Sequence, residues 1–217
     1  MAGHYTDDGY VKYAAEHTIA GAKEPPGWAA LNEARTRLHQ LGLVGVNPQG
    51  VGFGNISIRF CKDEFLISGT ATGALPVLKP DGYCLVRSFD LEKNRVITEG
   101  PIQASSESMT HGIVYRACQS VNCVIHIHSR AIFDGMALDN CPSTPAAAKY
   151  GTPEIALAVE KAVLEQGSEG QIVMLGHDEG VICYGATAEK ALALALELYG
   201  RYGTECCKNR QEPGRRI

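Results

Sequence analysis

The sequence predicts a single α/β domain in three layers, with helices on both sides of a sheet, and three observations carry that expectation. The chain has 217 residues of which 45% are hydrophobic, enough to bury one sizeable core without calling for a second domain. Residues 51–68 alternate apolar and polar positions, as a hairpin that rests on a core does. Between residues 107 and 129 a run of helical period feeds directly into a β-branched strand, so helix and strand pack as one unit.

Taken in order, Thr6 or Asp7 can cap a helix over residues 7–23, with Tyr10, Tyr13, Ala14 and Ile19 spaced for one face. Glu24-Pro25-Pro26-Gly27 ends it. A second helix over residues 28–41 carries Leu31, Ala34, Leu38 and Leu41 on one stripe and stops at Gly42. Residues 52–60 and 64–68 form the hairpin, and residues 83–87 and 95–98 two short strands around the turn at 90–94. The helix that begins near Glu107 has Met109, Ile113, Val114 and Ala117 at helical spacing and leads into the strand 121–129. A short helix at 130–137 and an irregular stretch at 139–148 follow. Thr152 caps the next helix, with Pro153 in its first position and Gly167 at its end. Two further strands, 171–175 and 181–184, flank Gly176-His177-Asp178-Glu179-Gly180, and the last helix runs from Thr187 to Tyr202.

Composition excludes several classes of function. Net charge is −4 and the basic residues are scattered apart from Arg215-Arg216, so nucleic acid is not an expected partner. No run of 18 apolar residues exists, and the N-terminus has neither the basic nor the apolar part of a secretion signal. Eight cysteines without CxxC spacing, mostly inside apolar runs, read as free thiols in a reducing compartment. The expectation is a cytoplasmic protein with no membrane partner.

The chemistry concentrates at His126-Ile127-His128. In a strand both imidazoles point to one face while Ile125 and Ile127 point to the other. A lone histidine at the end of an apolar strand is ordinarily a satisfied core or surface residue. Two on one face need a polar partner for both, and a divalent metal supplies it directly. Three loops of small residues accompany the pair. Gly50, Gly52 and Gly54 allow close backbone approach, with Asn55 and Ser57 adding short polar groups. Ser68-Gly69-Thr70-Ala71-Thr72-Gly73 can hold an anion through amides and hydroxyls, and taken alone fits a flexible connector equally well. Ser105-Ser106 precedes a helix whose first N–H groups favour negative charge, one serine capping and the other facing a ligand.

The succession of Gly54-Asn55-Ile56-Ser57, the 68–73 loop, Ser105-Ser106-Glu107, His126-Ile127-His128 and Gly176-His177 resembles the class II aldolase/adducin family, over residues 28–205. The resemblance implies a central, largely antiparallel sheet between helices, with residues 1–27 an N-terminal helical extension and 206–217 a tail. It implies Zn2+ or another divalent metal held by His126, His128 and His177 with Glu107 nearby, Asp178 and Glu179 being carboxylates able to replace or supplement His177. Three neutral imidazoles leave the ion charged and one position open. The implied activity is a carbon–carbon lyase on a small sugar phosphate, passing through a metal-stabilised enediolate with Glu107 as the base. Gly54, Asn55, Thr70, Thr72, Gly73, Ser105 and Ser106 would surround the substrate's phosphate, and Tyr150, Tyr199 or Tyr202 would give a proton to its other oxygen. Epimerase, dehydratase and decarboxylase activities share such a site, a metal-free adducin-like assembly domain is the non-enzymatic alternative, and homotetramers are the usual state.

Overall fold

The structure is a computed structural model and describes residues 13–203. It begins with β1 (Ala14–Ile19), α1 (Trp28–Gln40) and a two-stranded ribbon of β2 (Gly45–Val46) and β3 (Gly52–Phe53). Next come β4 (Asn55–Cys61), β5 (Glu64–Ser68), β6 (Tyr83–Asp90) and β7 (Arg95–Gly100). Then follow α2 (Ser108–Ala117), β8 (Cys123–His128), α3 (Arg130–Leu138) and β9 (Ser143–Thr144). The described chain closes with α4 (Pro153–Gln166), β10 (Gly170–Met174), β11 (Gly180–Gly185) and α5 (Ala188–Leu198), the last running into a π-helical turn at Tyr199–Gly203.

Nine strands form one sheet in the order β1-β7-β6-β5-β4-β8-β11-β10-β9. Its interior is antiparallel throughout, but both edges pair parallel, β1 on β7 and β9 on β10. The sheet is therefore mixed. Side-chain alternation splits each strand between two cores. On one face Phe65, Ile67, Val124, Ile182 and Tyr184 pack under α2 and α4. On the other Ile56, Leu66, Ile125, Ile127 and Val181 pack under α1, α3 and α5. Two apolar faces on one sheet require two helical layers, which gives the three-layer arrangement.

The N-terminal helix is corrected for the part that is described: residues 14–19 are a strand, while residues 1–12 lie outside the described residues, as do 204–217. Helical spacing of Tyr13, Ala14 and Ile19 loses to a parallel ladder that runs from Ala14 opposite Arg95 to Ile19 opposite Gly100. Two side-chain ties reinforce it, Arg95 to Glu16 at 2.5 Å and His17 Nδ1 to Thr98 Oγ1 at 2.9 Å. An otherwise unpaired edge of β7 outweighs a weak local preference. The expected Thr152 cap is also corrected. Pro153 opens α4, but the Thr152 hydroxyl donates backwards to Lys149 O at 2.7 Å and makes no cap.

Candidate metal centre

Strand β8 lies between β4 and β11 and is buried along its whole length. Cys123, Ile125 and Ile127 enter the core under α1, α3 and α5, so the pleat turns His126 and His128 to the opposite face, beside the N-terminus of α2. His177 arrives from the turn after β10, held by its own N–H to Met174 O at 2.8 Å and by Gly180 N–H to His177 O at 3.0 Å. The ladder places Gly180 opposite His128 and Ile182 opposite His126, which brings that turn over the pair.

The three rings converge through one nitrogen each. His126 Nε2 is 3.0 Å from His128 Nε2 and 3.2 Å from His177 Nε2, and the three ligand atoms lie within 4.8 Å of one another. A tetrahedral ion with bonds of about 2.0–2.1 Å sets its nitrogens roughly 3.3 Å apart. The cluster thus has the spacing of a metal site, and this cluster can hold an ion. Burial keeps two of the imidazoles neutral, as ligands must be: it pulls His126 well below the ordinary histidine range and His128 down to about 4. Phe53 packs against His128 with centroids 5.6 Å apart.

Glu107 stands at the first position before α2, 3% exposed, with Oε1 3.5 Å from His177 Nε2. It lines a cavity of about 320 Å³ together with His126, His128, His177, Asn55, Ser105, Ser106 and the glycine-bearing loops 50–54 and 69–73. Every residue expected to hold metal or phosphate, apart from the alternative carboxylates Asp178 and Glu179, therefore borders one cavity. Glu107 is the sole charged residue among those lining it, apart from the titratable histidines.

The small residues differ in what they offer. Asn55 is 6% exposed, and its Oδ1 has no hydrogen-bond partner among the described residues. Gly54 has φ of +71°, and a Cβ there would meet His126 O and Leu43 O at 3.0 Å; its place beside the ligand strand is set by backbone packing. Thr72 spends its hydroxyl inside the loop, donating to Gly69 O at 2.8 Å. Thr70 lines the cavity, and its hydroxyl makes no hydrogen bond among the described residues. Ser105 Oγ accepts from Glu107 N–H at 3.3 Å, whereas Ser106 Oγ accepts from the Tyr150 hydroxyl at 2.6 Å.

Of the three tyrosines, Tyr150 reaches the cavity and stacks on His177, centroids 4.3 Å apart and planes 22° apart. Tyr199 and Tyr202 pack on the core under α1, α3 and α5, with the Tyr202 hydroxyl on Asp139 Oδ2 at 2.7 Å. Asp178 and Glu179 turn away from the histidines to Arg130, at 2.5 Å and 3.3 Å. They are not in the metal cluster. Sequence reasoning missed the buried chain behind the site, in which Ser57 Oγ bridges His111 Nδ1 and the Tyr115 hydroxyl at 2.7 Å each. Its signal was available: His111 and Tyr115 follow Glu107 at four-residue steps, one helical face.

A sequence profile described as the Class II Aldolase and Adducin N-terminal domain matches residues 30–200. Among curated proteins no sequence match was found. Similar solved structures include L-fuculose-1-phosphate aldolase from Thermus thermophilus, at 22% identity and TM-score 0.56 over 86% of this chain and 97% of that one. A second L-fuculose 1-phosphate aldolase has 21% identity and TM-score 0.60, covering 90% of this chain and 92% of its own. YgbL of Klebsiella pneumoniae, titled a putative aldolase/epimerase/decarboxylase, has 16% identity and TM-score 0.57 over 85% of this chain and 92% of that one.

Proposed function

The chain belongs to the class II aldolase and adducin N-terminal domain family, and we propose that within it this protein is a zinc-dependent lyase that makes or breaks a carbon–carbon bond beside the carbonyl of a small sugar phosphate. The observation that carries this reading is the convergence of three buried imidazole nitrogens with a buried carboxylate 3.5 Å away, on the wall of one cavity. An assembly domain has no use for three desolvated imidazoles on one face. His126, His128 and His177 would hold a divalent ion, which would supply Lewis-acid stabilisation for the oxygens of a hydroxy-ketone.

The remaining steps belong to side chains. Glu107 is the base that takes the carbon-bound proton, held by its place before α2 and buried at the cavity wall. Tyr150 is the acid, its ring stacked on His177 and its hydroxyl held by Ser106 at the cavity wall. The anionic end of the substrate meets Asn55, Thr70, Gly73, Ser105 and Ser106, all on the cavity wall. The likeness to the L-fuculose phosphate aldolases supports a phosphorylated ketose, and the likeness to YgbL keeps epimerisation and decarboxylation as uses of the same groups. Tetrameric assembly and residence in the cytoplasm are part of the proposal, the latter supported by six described cysteines that are all free.

Two measurements test it together. Elemental analysis should find about one zinc per chain, and the zinc-loaded protein should condense dihydroxyacetone phosphate with a short aldehyde. Stoichiometric metal without condensation, cleavage or epimerisation of any phosphorylated ketose would sink the substrate class and leave the metal site standing.

A further inference from the structure

Beneath the cavity, α1 buries an arginine that the chemistry above does not use. Arg35 is 1% exposed, and among the described residues no carboxylate forms an ion pair with it. Its guanidinium instead donates to three carbonyls of one segment, Thr72 O at 2.9 Å, Pro76 O at 2.9 Å and Leu75 O. Carbonyl dipoles satisfy its donors but do not neutralise it, and a buried charge without a counter-ion is unfavourable. A merely adhesive contact would not require a cation here.

One of the carbonyls that Arg35 holds, Thr72 O, belongs to the cavity wall, while Leu75 and Pro76 lie just behind it in sequence. A trans peptide sets its C=O and N–H on opposite sides, so a Thr72 carbonyl turned down to Arg35 turns the Gly73 N–H the other way. Gly73 lines the cavity, and its N–H makes no hydrogen bond among the described residues. Two positions earlier, Ala71 has φ of +56°, a left-handed conformation that a non-glycine residue adopts only under constraint. No lysine or arginine lines the cavity. The Gly73 N–H on the cavity wall thus faces away from Arg35, and the guanidinium lies one peptide behind it.

We propose that Arg35 is a positioning residue that orients the 70–73 loop for an anionic group and supplies, through one peptide layer, the charge that commits this subsite to phosphate. The inference rests on the phosphorylated substrate proposed above and adds the residue that selects it. Guanidinium geometry matters because a planar fork reaches several carbonyls at once, which an ammonium does not. The charge acts without touching the ligand, so Arg35 is not itself a catalytic residue.

The test uses the zinc-loaded protein with acetohydroxamate saturating the metal, titrated with inorganic phosphate by calorimetry. Arg35→Lys keeps the charge and loses the fork, so phosphate affinity should fall about threefold; Arg35→Gln loses the charge as well, and should fall about tenfold or more. Zinc content and acetohydroxamate affinity should match the wild type in both variants, since neither depends on the 70–73 loop. Wild-type phosphate affinity in Arg35→Gln would overturn the role of the charge, and an equal loss of acetohydroxamate and phosphate would reduce Arg35 to general support of the fold. If Arg35→Gln does not fold, Arg35→Lys decides, undiminished phosphate affinity there overturning the positional role. A wild type that binds acetohydroxamate but no phosphate would defeat the phosphorylated substrate itself, an outcome distinct from failure of the variants.

Discussion

Gly176→Ala is a one-methyl perturbation whose effect can be worked from the structure. Gly176 precedes His177, and its backbone faces the 148–150 segment that carries Tyr150; Tyr150 N–H donates to Gly176 O at 3.2 Å. A Cβ on Gly176 would stand 1.6 Å from Ala148 O and 2.5 Å from Ala148 C, where real Cβ atoms keep 3.0 Å. The opposing atom is backbone, so no side chain can swing aside, and the two segments must part by about 1.4 Å. Overpacking of this kind typically destabilises by roughly 1–3 kcal/mol. The functional loss is larger, because a displacement of about 1 Å moves His177 Nε2 away from the other two imidazole nitrogens and disturbs its stack on Tyr150; misplacements of that size reduce turnover about 100-fold. Thermal melts of the metal-free protein, chelator competition for zinc and turnover should all register the change. A Gly176→Ala protein with unaltered melting, zinc affinity and activity would refute the reasoning, since the turn carrying His177 would then be free to move.

The other predictions follow from single contacts. His126→Ala should abolish both metal content and activity, because His126 is the ring within 3.2 Å of both other ligand nitrogens; stoichiometric zinc of normal affinity in that variant would exclude the ligand set. Asp178→Asn and Glu179→Gln should keep zinc affinity within about threefold and lose at most roughly 1 kcal/mol of stability, since their carboxylates lie on the exposed Arg130; metal loss in either would make it a ligand. His111 is held by burial down to about 3, whereas an unfolded histidine titrates near 6.5. The unfolded chain therefore binds the extra proton, and stability present above about pH 6.5 is lost as pH falls toward 3. For this residue the loss is about 2 kcal/mol between pH 7.5 and 5. Urea denaturation at the two pH values, on wild type and His111→Phe, measures it, and identical pH slopes would show that His111 does not contribute.

The legible parts of this protein were those encoded within one element. Period two at 124–128 put His126 and His128 on one face, and helical period after Glu107 put the carboxylate at a helix start, without knowledge of the rest. What was not legible depended on partners distant in sequence. Residues 14–19 form a strand because β7 offers an edge 81 positions away at Arg95 opposite Ala14. Both parallel edges of the sheet arise in the same way. Tyr150 could not be ranked above Tyr199 and Tyr202, since only the 148–150 backbone lying on Gly176 carries it to His177. Thr70 and Thr72 read alike in a chain of small residues, and Thr72 is distinguished by its bond to Gly69 O. Arg35 sits on a stripe-bearing helix where arginine ordinarily faces water. Its burial follows from the carbonyls of a loop 37 residues on.

The claim on which the rest depends is that Glu107 removes a carbon-bound proton beside a metal-bound carbonyl group. Solvent deuterium exchange into dihydroxyacetone phosphate reads that step directly, with no need for the aldehyde partner. The zinc-loaded wild type should incorporate deuterium at the hydroxymethyl carbon. Glu107→Gln, nearly isosteric and with all three imidazoles in place, should keep its zinc and exchange about 10²- to 10⁴-fold more slowly. Undiminished exchange in the glutamine variant would remove Glu107 from the chemistry, and no exchange in the zinc-loaded wild type would contradict the account.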